Sequence, residues 1–205
     1  MKAVLAVLAF GLLAGQAQCA GLAKSGFMER VMSAKNTGAS SMESSKLYWE
    51  GDNMRIEEYS VDQLVVRIKK GSTLYIYVPA EKKAIKTTIP AGQNGSVQQM
   101  LQDMASPIQG GKKVGTAKVA GIACNVFAIS GKAGNAKAYV STDGRLPVML
   151  RMQRTMGAVS QTIETRQIKL NYNVPDSMFT LPKGTTVKEE KFPEAPKQAP
   201  PASKK

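Results

Sequence analysis

The chain has 205 residues, 43% of them hydrophobic, a formal net charge of +13, two cysteines and no histidine. That apolar fraction is enough to build the core of one ordinary domain and excludes an intrinsically disordered protein. Without histidine, and with only Cys19 and Cys124, the chain lacks the usual means for His-based acid–base catalysis, His-dependent triads, most zinc sites or a disulfide scaffold. No enzymatic activity, metal or cofactor is expected. The surplus of Lys and Arg favours anionic envelope surfaces, acidic lipids or acidic partners. Nucleic acid is not expected, because the basic residues are spread singly, with no clustered stripe or interleaved aromatics.

After Lys2 comes an apolar run, Ala3 to Ala14, too short to span a membrane and followed by small and polar residues from Gly15 to Gly21. This is the layout of a secretory signal peptide over residues 1–20, cut between about residue 17 and residue 20. Gln18 stands before Cys19 where a lipobox needs a small residue, which argues against lipidation. Whether Cys19 remains to pair with Cys124 is left open. Cys124 sits in a strand pattern and reads as a buried, inert thiol.

Phe27 to Ala34 fits a strand or a short helix, and Asn36 to Ser41 a turn. Met42 to Glu50 is a strand. Asn53–Tyr59, Gln63–Lys69, Ser72–Val78 and Lys82–Thr88 follow as an antiparallel meander broken at turn residues. In it Leu64, Val66 and Ile68 alternate with Val65, Arg67 and Lys69, and Leu74, Ile76 and Val78 with Tyr75 and Tyr77.

Ser96 to Gln99 has capping-box spacing, and Val97, Met100, Leu101 and Met104 form one stripe of a helix ended by Pro107 and Gly110-Gly111. A single amphipathic helix in a β chain has one place to lie, across the apolar face of the sheet. Strands resume at Lys113–Ala117, Ile122–Ser130, Lys137–Thr142, Pro147–Thr155 and Ser160–Leu170, with Asp143-Gly144 as a hairpin turn. Asn173 to Lys183 closes the domain by docking Met178, Phe179 and Leu181. From about residue 188 to 205 the chain is Lys, Glu, Pro and Ala and reads as a mobile tail. The residues alone therefore predict a mainly β protein: a curved antiparallel sheet of about eleven strands with an amphipathic helix packed on it, over residues 21–187.

Tyr48-Trp49-Glu50-Gly51, Met54-Arg55-Ile56 and Gly71-Ser72-Thr73-Leu74-Tyr75-Ile76-Tyr77-Val78-Pro79 resemble the N-terminal half of the periplasmic outer-membrane lipoprotein carrier and the lipoprotein-sorting proteins related to it. The Pro-Asp-x-x-Phe-x-hydrophobic-Pro run from Pro175 resembles the end of that domain. The resemblance covers about residues 27 to 187 and implies a periplasmic location, a first strand at Phe27–Ala34, and an incomplete barrel with a lid helix over an apolar cavity. It also implies that Arg55 reaches the lid; the alternative is a plain surface ion pair of Arg55 with Glu57 or Glu58.

The ligand-binding set this gives is Met54, Arg55, Ile76, Val97, Met100, Leu101, Met104, Met149 and Met152. The protein has eleven methionines, whose flexible thioethers suit tolerant binding as well as ordinary cores. The expected function is carriage or binding of an acylated or lipid ligand, either a lipoprotein or a free lipid, by a monomer. The alternative is a non-catalytic envelope module that binds an anionic membrane surface or a protein partner through its basic face and tail.

Overall fold

The structure is a computed structural model and describes residues 23–60, 63–103, 111–131 and 134–192. The expected signal peptide, Cys19, and the tail beyond residue 192 lie outside these residues. The strands are β1 (Ser25–Asn36), β2 (Ala39–Glu50), β3 (Asn53–Tyr59), β4 (Leu64–Lys70), β5 (Thr73–Val78) and β6 (Lys83–Thr88). After the helix α1 (Val97–Asp103) come β7 (Lys112–Val119), β8 (Ile122–Gly131), β9 (Gly134–Ser141), β10 (Met149–Met156), β11 (Val159–Leu170) and β12 (Thr186–Glu189). They form one curved sheet that does not close into a barrel. The spatial order is β12-β6-β5-β4-β3-β2-β1-β11-β10-β9-β8-β7.

This order is two meanders joined by the pairing of β1 with β11. Each meander follows from local hairpins, in which consecutive antiparallel strands need only short turns. The join is non-local and carries a bulge between Glu29 and Arg30. Because β6 and β7 lie near opposite edges, the chain between them must cross the sheet, and α1 forms on that crossing. Its first turn is capped by the Ser96 hydroxyl, which accepts from the Gln99 amide at 3.0 Å.

Residues paired across strands share a face. Register therefore separates two apolar faces. Met28, Leu47 and Ile56 are in line on one, as are Gly26, Trp49 and Met54. Met28, Leu47 and Trp49 belong to a buried cluster that also takes in Val97 and Leu101 of α1, Val119, Cys124, Leu146, Val148 and Leu150. On the other face Tyr48, Arg55, Ile68 and Tyr75 are in line, as are Glu57, Val66, Tyr77 and Ala84. Here the second cluster forms, with Val174 and Phe179 of the C-terminal segment packed on Val66, Ile68, Tyr77 and Ala84. Met178 and Leu181 pack against the same cluster, so the closing segment docks where its apolar residues indicate.

At one point the two hairpin strands touch through a glycine. Trp49 is 1% exposed, its indole N–H donates to the Ala23 carbonyl at 3.0 Å, and its ring lies over Gly26. A Cβ on Gly26 would stand 2.2 Å from that ring.

Two local expectations are corrected. The sheet has twelve strands, because Thr186–Glu189 pairs in parallel with Lys83–Lys86. That strand extends into the stretch whose composition marks it as tail, and Lys86 holds Glu189 there at 2.6 Å. A four-residue exposed strand has no pattern of its own and forms because β6 offers it an edge. Asp143-Gly144 is not a two-residue hairpin turn. Residues 142–148 connect β9 to β10, with the Asp143 carboxylate accepting from the Arg145 amide at 3.0 Å and from its guanidinium at 2.7 Å. This loop delivers Leu146 and Val148 to the core.

Candidate functional site

The residues expected to line a hollow do not come together around one. Val97 and Leu101 are each 1% exposed and lie in the solid cluster around Trp49, with Met100 and Met54 packed against it. The space directly beneath α1 is therefore filled by side chains, which anchor the helix as part of the core. Ile76 is on the same face, in the row Leu47, Ile56, Arg67, Ile76 and Ile85, half-buried and apart from the cluster. Met104 lies outside the described residues.

Arg55 is on the opposite face. Its Nε donates to Glu57 Oε1 at 2.7 Å and its Nη1 to the Met178 carbonyl at 3.1 Å. It ties down the C-terminal segment and does not face α1. The neighbouring Tyr48, in register with Arg55, has its hydroxyl pKa pushed up to about 12, by desolvation first and then by the Glu57 carboxylate.

Met149 is buried, beside a break in the register with β9, and only Met152 leads to the part of the α1 face that the core leaves unfilled. Register places Met32, Ile163, Met152, Ala138 and Phe127 side by side on β1, β11, β10, β9 and β8. The row continues the Met28 face, because Met28, Arg30 and Met32 alternate along β1. Its ends are charged, with Glu43 opposite Met32 and Lys113 opposite Phe127. Met32, Ile163, Met152 and Phe127 are half-buried, and none belongs to either buried cluster. Their sequence signal was weak, since each is a single apolar residue on a separate strand and only register aligns them.

Polar groups border this row on both sides. Toward the outer ends of the strands, Arg154 donates to Gln161 Oε1 at 2.6 Å, and Gln161 contacts the Met32 sulfur at 3.1 Å. Toward the core, Arg30 donates through Nη2 to the Met149 carbonyl at 2.6 Å. Its Nε is buried with no partner among the described residues, and burial lowers its pKa to about 10. On the other face of the same strands, Arg151 pairs with Glu164 and sits 5.4 Å from the Tyr139 ring.

An open cleft of about 400 Å³ lies between the outer ends of β8 to β11. Its lining mixes Ala128, Ile129 and Ala136 with Asn135, Lys137, Gln153, Thr155 and Thr162, and it contains none of the expected set. Among the described residues no group of three or more His, Cys, Asp or Glu is placed to hold a metal ion, and no helix is long and apolar enough to cross a membrane. Cys124 is a buried free thiol whose pKa burial raises.

The fold has solved counterparts. An uncharacterized conserved protein from Thermus thermophilus aligns with a TM-score of 0.52 at 9% identity, over 82% of this chain and 91% of that one. The MucA/MucB complex of Pseudomonas aeruginosa gives 0.45 at 12% identity, over 77% of this chain and 56% of that one. Mycobacterium tuberculosis lipoprotein LppX gives 0.37 at 12% identity, over 73% and 88%. No curated protein matches the sequence. A family model described as predicted periplasmic protein, DUF2092, matches residues 30–189, and the chain belongs to that family.

Proposed function

We propose that this periplasmic protein binds an acylated or lipid ligand, a lipoprotein or a free lipid, without chemical conversion, on the α1 face of its curved sheet. The observation that carries the reading is the row in which half-buried Met32, Ile163, Met152 and Phe127 flank the fully buried Ala138. Five strands at about 4.8 Å spacing give a track of roughly 19 Å, the length scale of one extended long acyl chain. Two of its residues are methionines, whose soft, unbranched side chains adapt to chains of different shape. Fully burying a long acyl chain is worth on the order of 10 kcal/mol at roughly 0.8 kcal/mol per methylene. Partial cover along a track is enough for a reversible carrier. The resemblance to the lipoprotein carrier supports the same ligand class.

The test is organic extraction of gently purified protein, native mass spectrometry of the same sample, and titration with an environment-sensitive acyl probe. Co-purifying lipid and saturable binding that Met152→Glu abolishes are expected. Met152 suits this better than Leu101, since a charge at the fully buried Leu101 would disrupt the core itself. An apo mass together with no saturable probe signal refutes the proposal.

A further inference from the structure

Arginines in this protein are mostly matched with carboxylates. Arg55 pairs with Glu57, Arg67 with Glu58, Arg145 with Asp143 and Arg151 with Glu164. Arg30, Arg154 and Arg166 have no such partner among the described residues, and of these Arg30 and Arg154 have a buried Nε without a hydrogen-bond partner. Arg154 Nη2 is engaged by Gln161, whereas Arg30 is bonded only to a main-chain carbonyl. Glu29 points to the other face, Glu164 is taken by Arg151, and Glu43, diagonal to Arg30 across β2, is exposed and in no ion pair. Yet Arg30 is held in place by the Met149 carbonyl, with Nε buried and unpartnered. An uncompensated charge withdrawn from water is costly, so an anion arriving beside it would be stabilised. A guanidinium presents its donors as a fork that fits carboxylate and phosphate oxygens.

We propose that the ligand is an anionic amphiphile whose carboxylate or phosphate is taken by Arg30 while its acyl chain lies along Met32, Ile163 and Met152. This rests on the acyl-binding reading above and names the ligand class. Arg30 is two residues from Met32 on the same face of β1, so the anion and the start of the apolar track are adjacent. Thr165, across from Arg30 on β11, is buried and closes that end with a hydroxyl group. Arg154 stands beyond the row, so a chain entering from Arg30 runs away from its own charge across apolar side chains only.

The test compares cis-parinaric acid with its methyl ester on the wild-type protein by fluorescence titration, which needs no variant to fold. The acid is expected to bind at least about tenfold more tightly than the ester. Arg30→Gln should weaken the acid by about tenfold and leave the ester unchanged, with Arg30→Lys in between. Displacement of the acid by lysophosphatidic acid more effectively than by palmitate assigns a phosphate head, and the reverse a carboxylate; either supports the proposal. Equal affinity for acid and ester overturns the anion site and leaves acyl binding standing. If millimolar inorganic phosphate displaces the acid while the ester does not bind, the site is one for a free anion and the proposal fails. No saturable binding of either probe overturns this proposal and the acyl reading together.

Discussion

Arg55 and Met178, 123 residues apart, are joined by a hydrogen bond from Nη1 to the main-chain carbonyl at 3.1 Å, on the face of the sheet opposite α1. The same guanidinium neutralises Glu57, whose second oxygen accepts from the Tyr59 hydroxyl at 3.0 Å. Both side chains of the ion pair are largely withdrawn from solvent, at 15% and 12% exposure. Arg55→Met should cost about 1–3 kcal/mol in urea denaturation, since it leaves a buried carboxylate with one donor. The double variant with Glu57→Leu should recover part of the loss. Acyl-probe binding should be unchanged in both. Lost binding at full stability would instead return Arg55 to the role that the family resemblance implies.

Gly26→Ala places a methyl group against the Trp49 ring, and the strand pair cannot open without losing the Ala23 hydrogen bond. A destabilisation of about 1–3 kcal/mol is expected from overpacking. Trp49 is the one tryptophan in the sequence, so its emission reports the change directly. A red shift should accompany the loss of stability, and an unshifted spectrum with wild-type stability contradicts the packing described.

The C-terminal segment covers the second apolar face. Phe179 is 2% exposed against Val66, Ile68, Tyr77 and Ala84. Phe179→Ala should cost about 3–5 kcal/mol. Limited proteolysis should then cut the segment after Asn173 sooner than in the wild type.

Alkaline pH should expose Tyr48. Its folded-state pKa of about 12 lies above the usual value of 10, so folding favours the protonated phenol. The associated stability is fully present below about pH 10 and is lost as pH rises toward about 12. Ultraviolet titration of the native protein should show at least one late-ionising tyrosine that Tyr48→Phe removes. Tyr59 shifts in the same direction, by burial and then by its hydrogen bond to Glu57, so the double variant should lose a second late step.

Much of the architecture was legible because it is local. Alternation in Leu64–Ile68 and Leu74–Val78, turn residues between strands, and the Ser96–Gln99 cap each act over a few residues and need no partner to be read. The docking of Met178, Phe179 and Leu181 was legible for a related reason: three apolar residues in an otherwise polar run must find cover. The candidate site was read less well. Val97 and Leu101 were correctly placed on the apolar side of the helix, but a stripe cannot tell a roof over a hollow from a plug in a core. For Arg55 the residues themselves allowed an ion pair with Glu57, which the structure contains, whereas the lid contact implied by the resemblance is ruled out by parity along β3, which turns Arg55 away from Met54 and Ile56.

By itself the sequence determined the class of the fold: β periodicity in series, one amphipathic interruption, and a composition without the means for His-based chemistry. Only the tertiary structure decided that β1 pairs with β11, and through that register that Met32, Ile163, Met152, Ala138 and Phe127 make one continuous row beside an Arg30 that has no carboxylate partner among the described residues. The reason is physical. Strand pairing across more than a hundred residues is chosen by the collective fit of whole faces, and a one-residue slip would send every one of those side chains to the other side.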